Sequence, residues 1–190
     1  MKVGVMGSAG GKLDAEVAER ARELGREIAG HDCVLITGAC PGLPHEAVLG
    51  AKAVGGLVIG VSPALSLDEH IERYHSPYEE YDVLVFTGSG LMGREIENIR
   101  TCDIVIIIGG RSGTLGEFAI AYDEGKLIGV LQGTGGISDY VDDIVAMVRK
   151  QTNAQLVYDR DPASLMDRLL AAHEERVAAG IAHRSPVADV

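Results

Sequence analysis

An arginine and a glutamate, Arg94 and Glu117, flank the part of this sequence with the clearest capacity for chemistry. Between them lie an apolar run, Ile104–Ile108, and a glycine-rich turn over residues 109–114 that leads into a helical pattern. Small residues let an anion approach the backbone, and the free amide groups and the dipole at a helix start attract it. We therefore predict that this turn binds the phosphate of a nucleotide-like ligand, through Gly110, Arg111, Ser112, Gly113 and Thr114.

A carboxylate beside such a phosphate suits the cleavage of a ribosyl C–N bond. Positive charge builds on the ribose ring as that bond breaks, and a carboxylate stabilises the charge and orients the attacking water. Glu117 is the candidate, and the alternative is a capping box in which its side chain accepts a hydrogen bond from the Thr114 amide. Arg94 is predicted in the first turn of a helix, where a cation is unfavourable by about 0.3–1 kcal/mol unless an anion binds. Pairing with Glu95 or Glu97 is its alternative.

The elements that position these residues alternate between short apolar strands and amphipathic helices. The predicted strands are Lys2–Met6, Val34–Thr37, Leu57–Val61, Val83–Phe86, Ile104–Ile108, Leu127–Leu131 and Gln155–Tyr158. The predicted helices cover Leu13–Ile28 and Ser138–Lys150, begin near Leu43, Leu91 and Thr114, and end with one from Pro162 to about Gly180. This alternation predicts an α/β, Rossmann-like three-layer fold with a mainly parallel sheet and helices on both faces.

The length of 190 residues and the 46% hydrophobic content predict one domain. We expect residues 1–180 to form a single nucleotide-binding domain and residues 181–190 to form a flexible C-terminal tail. Residues 62–82 interrupt the alternation of strands and helices, and they form either a lid over the ligand site or a surface excursion.

Ligands of such folds bind at the carboxyl ends of the strands, and other glycine-rich turns follow strands there. The first contains Gly7 and Ser8 and the second contains Gly38 and Gly42, and all four are predicted to contact the ligand. The simpler alternative is that strand-to-helix turns collect many of the 25 glycines. A further turn, residues 88–93, matches G-x-G-x-x-G and leaves an NADP-dependent oxidoreductase as another hypothesis.

Composition excludes several classes of partner. The formal charge of −11 and an aromatic content of 4% without Trp argue against a nucleic acid polymer. There is no charged-then-apolar leader or membrane-length apolar run, and three scattered cysteines fit a reducing compartment, so we predict a cytoplasmic protein without a membrane partner. His70 and His75 lack a third ligand at suitable spacing, so no metal is predicted, and no other cofactor.

The spacing of these residues resembles the Lonely Guy (LOG) family over roughly residues 1–150. Arg94 is followed nine residues later by Asp103, then by an apolar strand and by Gly-Arg-Ser-Gly-Thr-Leu-Gly-Glu over residues 110–117. The resemblance implies cleavage of the N-glycosidic bond of a nucleoside 5′-monophosphate to free base and ribose 5-phosphate. It also implies that Arg94 and Glu117 are the catalytic pair, that Gly110, Gly113 and Thr114 lie at the phosphate, and that the site lies at a homodimer interface.

Three residues depart from the family pattern. Glu95 replaces a Lys, Gly109 replaces a Pro, and Arg111 replaces the second Gly of the motif. The motif without its Pro equally resembles a sister branch that includes molybdenum-cofactor carrier proteins, which bind a phosphorylated pterin. The sequence therefore predicts a homodimeric phosphoribohydrolase, with a non-catalytic carrier or sensor of a nucleotide or molybdopterin-type phosphate as the alternative.

Overall fold

The computed structural model describes residues 1–181, and its centre is a parallel sheet of seven strands. In chain order the strands are β1 (Lys2–Gly7), β2 (Val34–Thr37), β3 (Val58–Ser62), β4 (Val83–Phe86), β5 (Ile104–Ile108), β6 (Leu127–Leu131) and β7 (Gln155–Asp159). Their order across the sheet is β4-β3-β2-β1-β5-β6-β7. The sheet thus grows in one direction from β1 to β4 and in the other from β5 to β7, and the crevice between β1 and β5 is the place where such folds bind ligands.

Helices cover both faces of the sheet. They are α1 (Ala15–Gly30), α2 (Leu43–Ala53), α3 (Leu67–Glu72), α4 (Gly90–Thr101), α5 (Ser112–Asp123), α6 (Val141–Val148) and α7 (Pro162–Ala178). Buried residues of α1, α2 and α7 share one apolar cluster, and those of α4, α5 and α6 share another. None of the helices within residues 1–181 has the length and the apolar character needed to cross a membrane.

Strand β5 shows why the sheet is buried on both sides. Its five residues are all fully buried. Ile104, Ile106 and Ile108 pack into the cluster under α1, α2 and α7, while Val105 and Ile107 pack into the cluster under α4, α5 and α6. Side chains alternate between the faces of a strand, so a run that is apolar at every position fits only a sheet covered on both faces.

The structure confirms the predicted fold class, and all seven predicted strands are present. Four of the strand predictions coincide with the observed bounds: Val34–Thr37, Val83–Phe86, Ile104–Ile108 and Leu127–Leu131. The helix predicted over 138–150 is wrong at its start, because a 3₁₀ turn (Gly136–Tyr140) precedes α6. Most of the predicted tail, residues 182–190, lies outside the described residues.

Residues 62–82 are folded against the sheet and contain α3, which the sequence did not predict. The imidazole of His70 is fully buried: its Nδ1 lies 2.8 Å from the Ser62 hydroxyl and its Nε2 lies 3.0 Å from the Pro77 carbonyl oxygen. The hydroxyl of Tyr81 lies 3.1 Å from that of Thr37. These contacts fix the segment beside β3 and β4 and favour the surface-excursion hypothesis.

Helices α1 and α2 approach each other through two glycines. A Cβ on Gly25 would lie 1.9 Å from the carbonyl oxygen of Ala47, and one on Gly50 would lie 1.9 Å from that of Arg22. No real Cβ tolerates such a distance, so the absence of side chains here sets the spacing of the two helices.

We expect Gly25→Ala to destabilise the protein by roughly 1–3 kcal/mol, because the overpacked methyl outweighs the higher helix propensity of alanine. Gly30, in the same helix, is the control, since a Cβ there meets nothing within 4 Å. Gly30→Ala should be neutral or stabilising by up to about 1 kcal/mol. Urea unfolding of both variants measures the difference, and equal stability would contradict this account of the α1–α2 contact.

Candidate functional site

A cavity of about 350 Å³ opens at the carboxyl ends of the strands, between β1 and β5. Most of the residues predicted from the sequence line it: Gly7, Ser8, Gly38, Arg94, Arg111, Ser112, Gly113, Thr114 and Glu117. The wall also contains Val5, Met6, Ala9, Cys40, Pro44, Leu91 and Glu95. The sheet topology thus brings residues from four separate stretches of the chain to one crevice.

The first turn of α5 forms one wall of this cavity and has free backbone donors. The residue before the helix is Arg111, whose side chain does not cap it. Within residues 1–181, the amide groups of Ser112, Gly113 and Thr114 have no hydrogen-bond acceptor. Uncapped amides at the positive end of a helix dipole attract an anion. This wall is therefore suited to a phosphate.

The turn before α5 is held in place by Ser8, which lies in the turn after β1. The amide of Gly110 donates to the Ser8 hydroxyl at 2.8 Å, and the amide of Gly109 donates to the Thr134 hydroxyl at 2.9 Å. The carbonyl of Gly110 accepts from the amide of Ile137 at 3.0 Å. Gly110 is consequently committed to the scaffold and is not among the residues that line the cavity.

Gly42 also lies outside the cavity wall. Its φ is +96°, and a Cβ on it would lie 2.0 Å from the Ser8 carbonyl oxygen, which accepts a hydrogen bond from the Leu43 amide at 2.9 Å. Gly42 therefore allows the start of α2 to pack against the β1–α1 turn. Both Gly42 and Gly110 support the residues that face the ligand space.

Arg94 is a buried cation with unused hydrogen-bonding capacity. It is 7% exposed, and its Nη1 lies 3.6 Å from Oε1 of Glu117, too far for a hydrogen bond. Its Nη2 donates to Sγ of Cys40 at 3.5 Å, while Nε and Nη1 have no partner within the described chain. Buried donors without acceptors are uncommon and costly, so these two point to a group that binds here.

The guanidinium of Arg94 reaches this position because residue 38 is a glycine. A Cβ on Gly38 would lie 2.0 Å from Nη1 of Arg94. Gly38 follows β2 directly, and α4 delivers Arg94 from the other side of the cavity. Gly38 therefore contributes space for the arginine rather than a contact of its own.

Glu117 lies opposite Arg94, on α5. It is 7% exposed and accepts no hydrogen bond from residues 1–181. Burial raises the pKa of this carboxyl to about 7, the Arg94 guanidinium lowers the pKa, and the neighbouring Glu95 raises it. A carboxyl whose pKa lies near the pH of the cell can exchange protons during a reaction.

Glu95 lies next to Arg94 on α4 and adds a second carboxyl to the same wall. It is 7% exposed, and burial raises the pKa of its side chain while Arg94 lowers it. One cation therefore faces two carboxyls inside the cavity. With both carboxyls ionised, these three groups carry a net negative charge, and protonation of either carboxyl makes them neutral as a set.

Arg111 does not fill the space in front of α5. Its side chain is exposed, and its Nη2 donates to the carbonyl oxygen of Gly10 at 3.2 Å, in the turn after β1. The guanidinium thus joins the turn after β1 to the turn after β5. It places a positive charge at the rim while the free amides of α5 stay accessible to the cavity.

Two alternatives drawn from the sequence are wrong: the capping box at Glu117, and the pairing of Arg94 with Glu95 or Glu97. Helix α5 begins at Ser112, so Thr114 lies inside it, and no hydrogen bond joins the Glu117 side chain to the Thr114 amide in residues 1–181. The capping box is therefore absent from that part of the chain. Arg94 lies in the second turn of α4, and its ion pair is with Glu117 instead of Glu95 or Glu97.

The G-x-G-x-x-G match at residues 88–93 contributes Leu91 to the cavity wall but does not have the position of a dinucleotide motif. It follows β4, the edge strand of the sheet, and none of its three glycines lines the cavity. A dinucleotide motif is expected after a central strand, where the sheet changes its direction of growth. The geometry gives no support to the NADP hypothesis.

Glu95 and Cys40 are the polar residues of the site that the sequence interpretation did not include. The signal for Glu95 was present, since it is adjacent to Arg94 and stands where the LOG pattern has a Lys. Cys40 follows Gly38 by two residues in the turn after β2, and a lone cysteine there carries no pattern of its own.

Together, the parallel sheet, its switch-point cavity and the uncapped helix start define a Rossmann-like protein whose cavity is suited to a small anionic ligand. Residues 1–166 match the SLOG cluster4 family, and the chain belongs to that family. A relative in Archaeoglobus fulgidus, an uncharacterized protein, is 32% identical over 133 residues, which cover 70% of this chain and 80% of the relative.

Two solved structures show the same likeness. The molybdenum cofactor carrier protein of Chlamydomonas reinhardtii is 28% identical, with a TM-score of 0.70 over 90% of this chain and 98% of that protein. The molybdenum cofactor binding protein of the phototrophic bacterium Rippkaea orientalis is 27% identical, with a TM-score of 0.72 over 90% of this chain and 95% of that one. The fold of this chain is thus LOG-like and similar to that of molybdenum-cofactor carriers.

Proposed function

We propose that this protein hydrolyses the N-glycosidic bond of a nucleoside 5′-monophosphate to free base and ribose 5-phosphate. The observation that carries the proposal is the buried pair of Arg94 and Glu117 in the switch-point cavity. The pKa of Glu117 is raised to about 7, and Arg94 has two unpartnered donors. Perturbed acids of this kind in a cavity are typical of catalytic sites.

The ligand's phosphate would bind at the start of α5. The free amides of Ser112, Gly113 and Thr114 donate to its oxygens, and Arg111 adds charge at the rim. Ser8 anchors this turn through Gly110. A phosphate fixed there places the ribose about one sugar length further into the cavity, toward Glu117.

The reaction requires charge stabilisation at the ribose and a proton for the leaving base. As the C1′–N bond breaks, its electron pair leaves with the base and C1′ becomes cationic. The Glu117 carboxylate stabilises that cation and accepts a proton from the attacking water, whose oxygen forms the new bond to C1′. Glu117 then passes the proton that it took from the water to the departing base, which restores the carboxylate. Arg94 donates hydrogen bonds to a ribose or phosphate oxygen.

A non-catalytic carrier is the second candidate, and the two molybdenum-cofactor proteins favour it. Their similarity extends over nine-tenths of this chain. Glu95 and Arg111 also depart from the LOG motif at the cavity itself. In this case the same amides and Arg94 would hold a phosphorylated pterin or nucleotide, and Glu117 would bind the ligand without chemistry.

We further propose that the protein is a cytoplasmic homodimer. The proposed dimer rests on an apolar surface beside the cavity. On α4, Leu91, Met92 and Ile96 are exposed, and Leu91 also lines the cavity. On the edge strand β4, Val83 and Val85 are both 46% exposed. The exposed apolar residues of α4 and β4 suit a second copy of this chain.

The proposed cytoplasmic location rests on a separate observation. The cysteines Cys33, Cys40 and Cys102 are free and buried, consistent with a reducing compartment.

Incubation with a panel of nucleoside 5′-monophosphates should release free base, detected by chromatography. Glu117→Gln should lower the rate by roughly 10²–10⁴-fold, because the amide neither stabilises the ribosyl cation nor accepts a proton. Glu97→Gln, an exposed change on α4, is the matched control and should leave the rate unchanged. Base release by Glu117→Gln at the wild-type rate would remove the glutamate from the mechanism. Tight binding of a phosphorylated ligand without base release from any monophosphate would favour the carrier.

Met92→Glu should convert the dimer to a monomer in sedimentation experiments, because it places a charge in the apolar surface. Met147→Glu is the matched control: Met92 is 76% exposed and Met147, on α6, is 78% exposed, so neither change disturbs the core. A wild-type monomer, or a dimer that only Met147→Glu disrupts, would contradict this interface.

A further inference from the structure

Glu95 is a buried carboxyl whose hydrogen-bonding capacity the proposed reaction does not use. It lies on α4, lines the cavity and is 7% exposed. Within residues 1–181 it accepts no hydrogen bond and forms no ion pair. Its oxygens are not among the fully buried unpartnered polar atoms of the described chain, unlike Nε and Nη1 of Arg94, so they remain accessible to a molecule that enters the cavity.

The carboxyl of Glu95 lies against the first turns of α5. Its Oε1 is 3.6 Å from the place where a Cβ on Gly113 would be, and its Oε2 is 2.9 Å from the corresponding place on Gly116. Gly116 makes room for it, while the distance at Gly113 is an ordinary contact. The free amides of residues 112–114 belong to the same turn of α5. If they bind the phosphate of a ligand, the groups of the ligand next to that phosphate lie close to Glu95.

Arg94 provides an independent indication that a polar molecule fills this space. It is 7% exposed, it lines the same cavity, and its Nε and Nη1 lack acceptors. Donors that lack acceptors and a carboxyl that lacks donors therefore stand side by side on α4. A single ligand that offers both kinds of group satisfies both residues.

We propose that Glu95 binds the phosphorylated ligand by accepting two hydrogen bonds from a pair of adjacent O–H or N–H donors. This inference rests on the ligand class of the proposed function. Two parts of such molecules offer that pair: the 2′,3′-diol of a ribose, and the amino–imino edge of a 2-amino-4-oxo heterocycle such as guanine or a pterin. Two carboxylate oxygens match two parallel donors and repel a second phosphate.

Glu95 thereby gives this chain a specificity that the LOG pattern lacks. A lysine at this position offers donors and attracts an anion, whereas a glutamate requires donors from the ligand. The facing charged groups, Arg94 and Glu117, leave this requirement in place, since the ion pair of Arg94 within the described chain is with Glu117 and not with Glu95.

The test measures nucleotide affinity by calorimetry at pH 8, in a Glu117→Gln background that prevents consumption of the ligand. One arm compares AMP with 2′-deoxy-AMP and tests the diol. The other compares GMP with IMP, which lacks the 2-amino group, and tests the amino–imino edge. We expect a preference of roughly 10- to 100-fold for the complete donor pair in one arm, the size of a charge-assisted hydrogen bond.

Adding Glu95→Gln should abolish that preference and leave the weaker ligand's affinity within a few fold, whereas Glu97→Gln should preserve it. A preference that survives Glu95→Gln, or equal binding within both arms, overturns the role of Glu95 and leaves the proposed function intact. Binding of none of the four nucleotides overturns the proposed ligand class and the role of Glu95 with it. Thermal unfolding of each variant confirms that it is folded.

Discussion

The site depends on one constraint: the guanidinium of Arg94 is buried with fewer hydrogen-bond acceptors than it has donors. Removing a charge from water costs several kcal/mol, and the only carboxylate paired with Arg94 in the described chain is 3.6 Å away. Gly38 leaves the space, α4 supplies the side chain, and α5 supplies the opposing Glu117. The arrangement leaves Nε and Nη1 of Arg94 without acceptors beside an open cavity, and it is the proposed ligand that would complete it.

The sheet order explains why these groups meet. Strands β1 and β5 are neighbours in space although about a hundred residues separate them in sequence, as their paired residues Val3 and Ile104 show. Their carboxyl ends diverge into turns that lead to opposite faces of the sheet, and the crevice between them receives Ser8, Arg94 and the start of α5. The same geometry serves hydrolysis and binding alike, so the fold by itself does not decide between an enzyme and a carrier.

Local sequence signals predicted most of the fold and much of the site. The all-apolar run at β5 predicted a strand covered on both faces, and the glycine-rich turn after it predicted a helix start open to an anion. The roles of Gly42 and Gly110 were not predictable, because a glycine needed for close packing between distant turns looks the same in sequence as one that contacts a ligand. Helix α3 is six residues long, too short for a periodic signal.

Long-range contacts account for the other differences. The capping-box interpretation of Glu117 failed because α5 begins two residues before Thr114. The pairing of Arg94 with Glu117 joins two helices, and no spacing rule within one helix predicts it. Glu95 departs from the LOG pattern in sequence, but only its burial beside the free amides of α5 gives that departure a physical meaning.

The pKa of the Glu117 carboxyl, measured by carbon-13 NMR of labelled protein, tests the central claim most directly. The account predicts a midpoint near pH 7, since burial raises the pKa to about 7. Arg94→Gln should raise the pKa further because it removes the stabilising cation, and Glu95→Gln should lower it because it removes a like charge. A midpoint near the ordinary value of 4.5, unmoved by either substitution, would contradict the account.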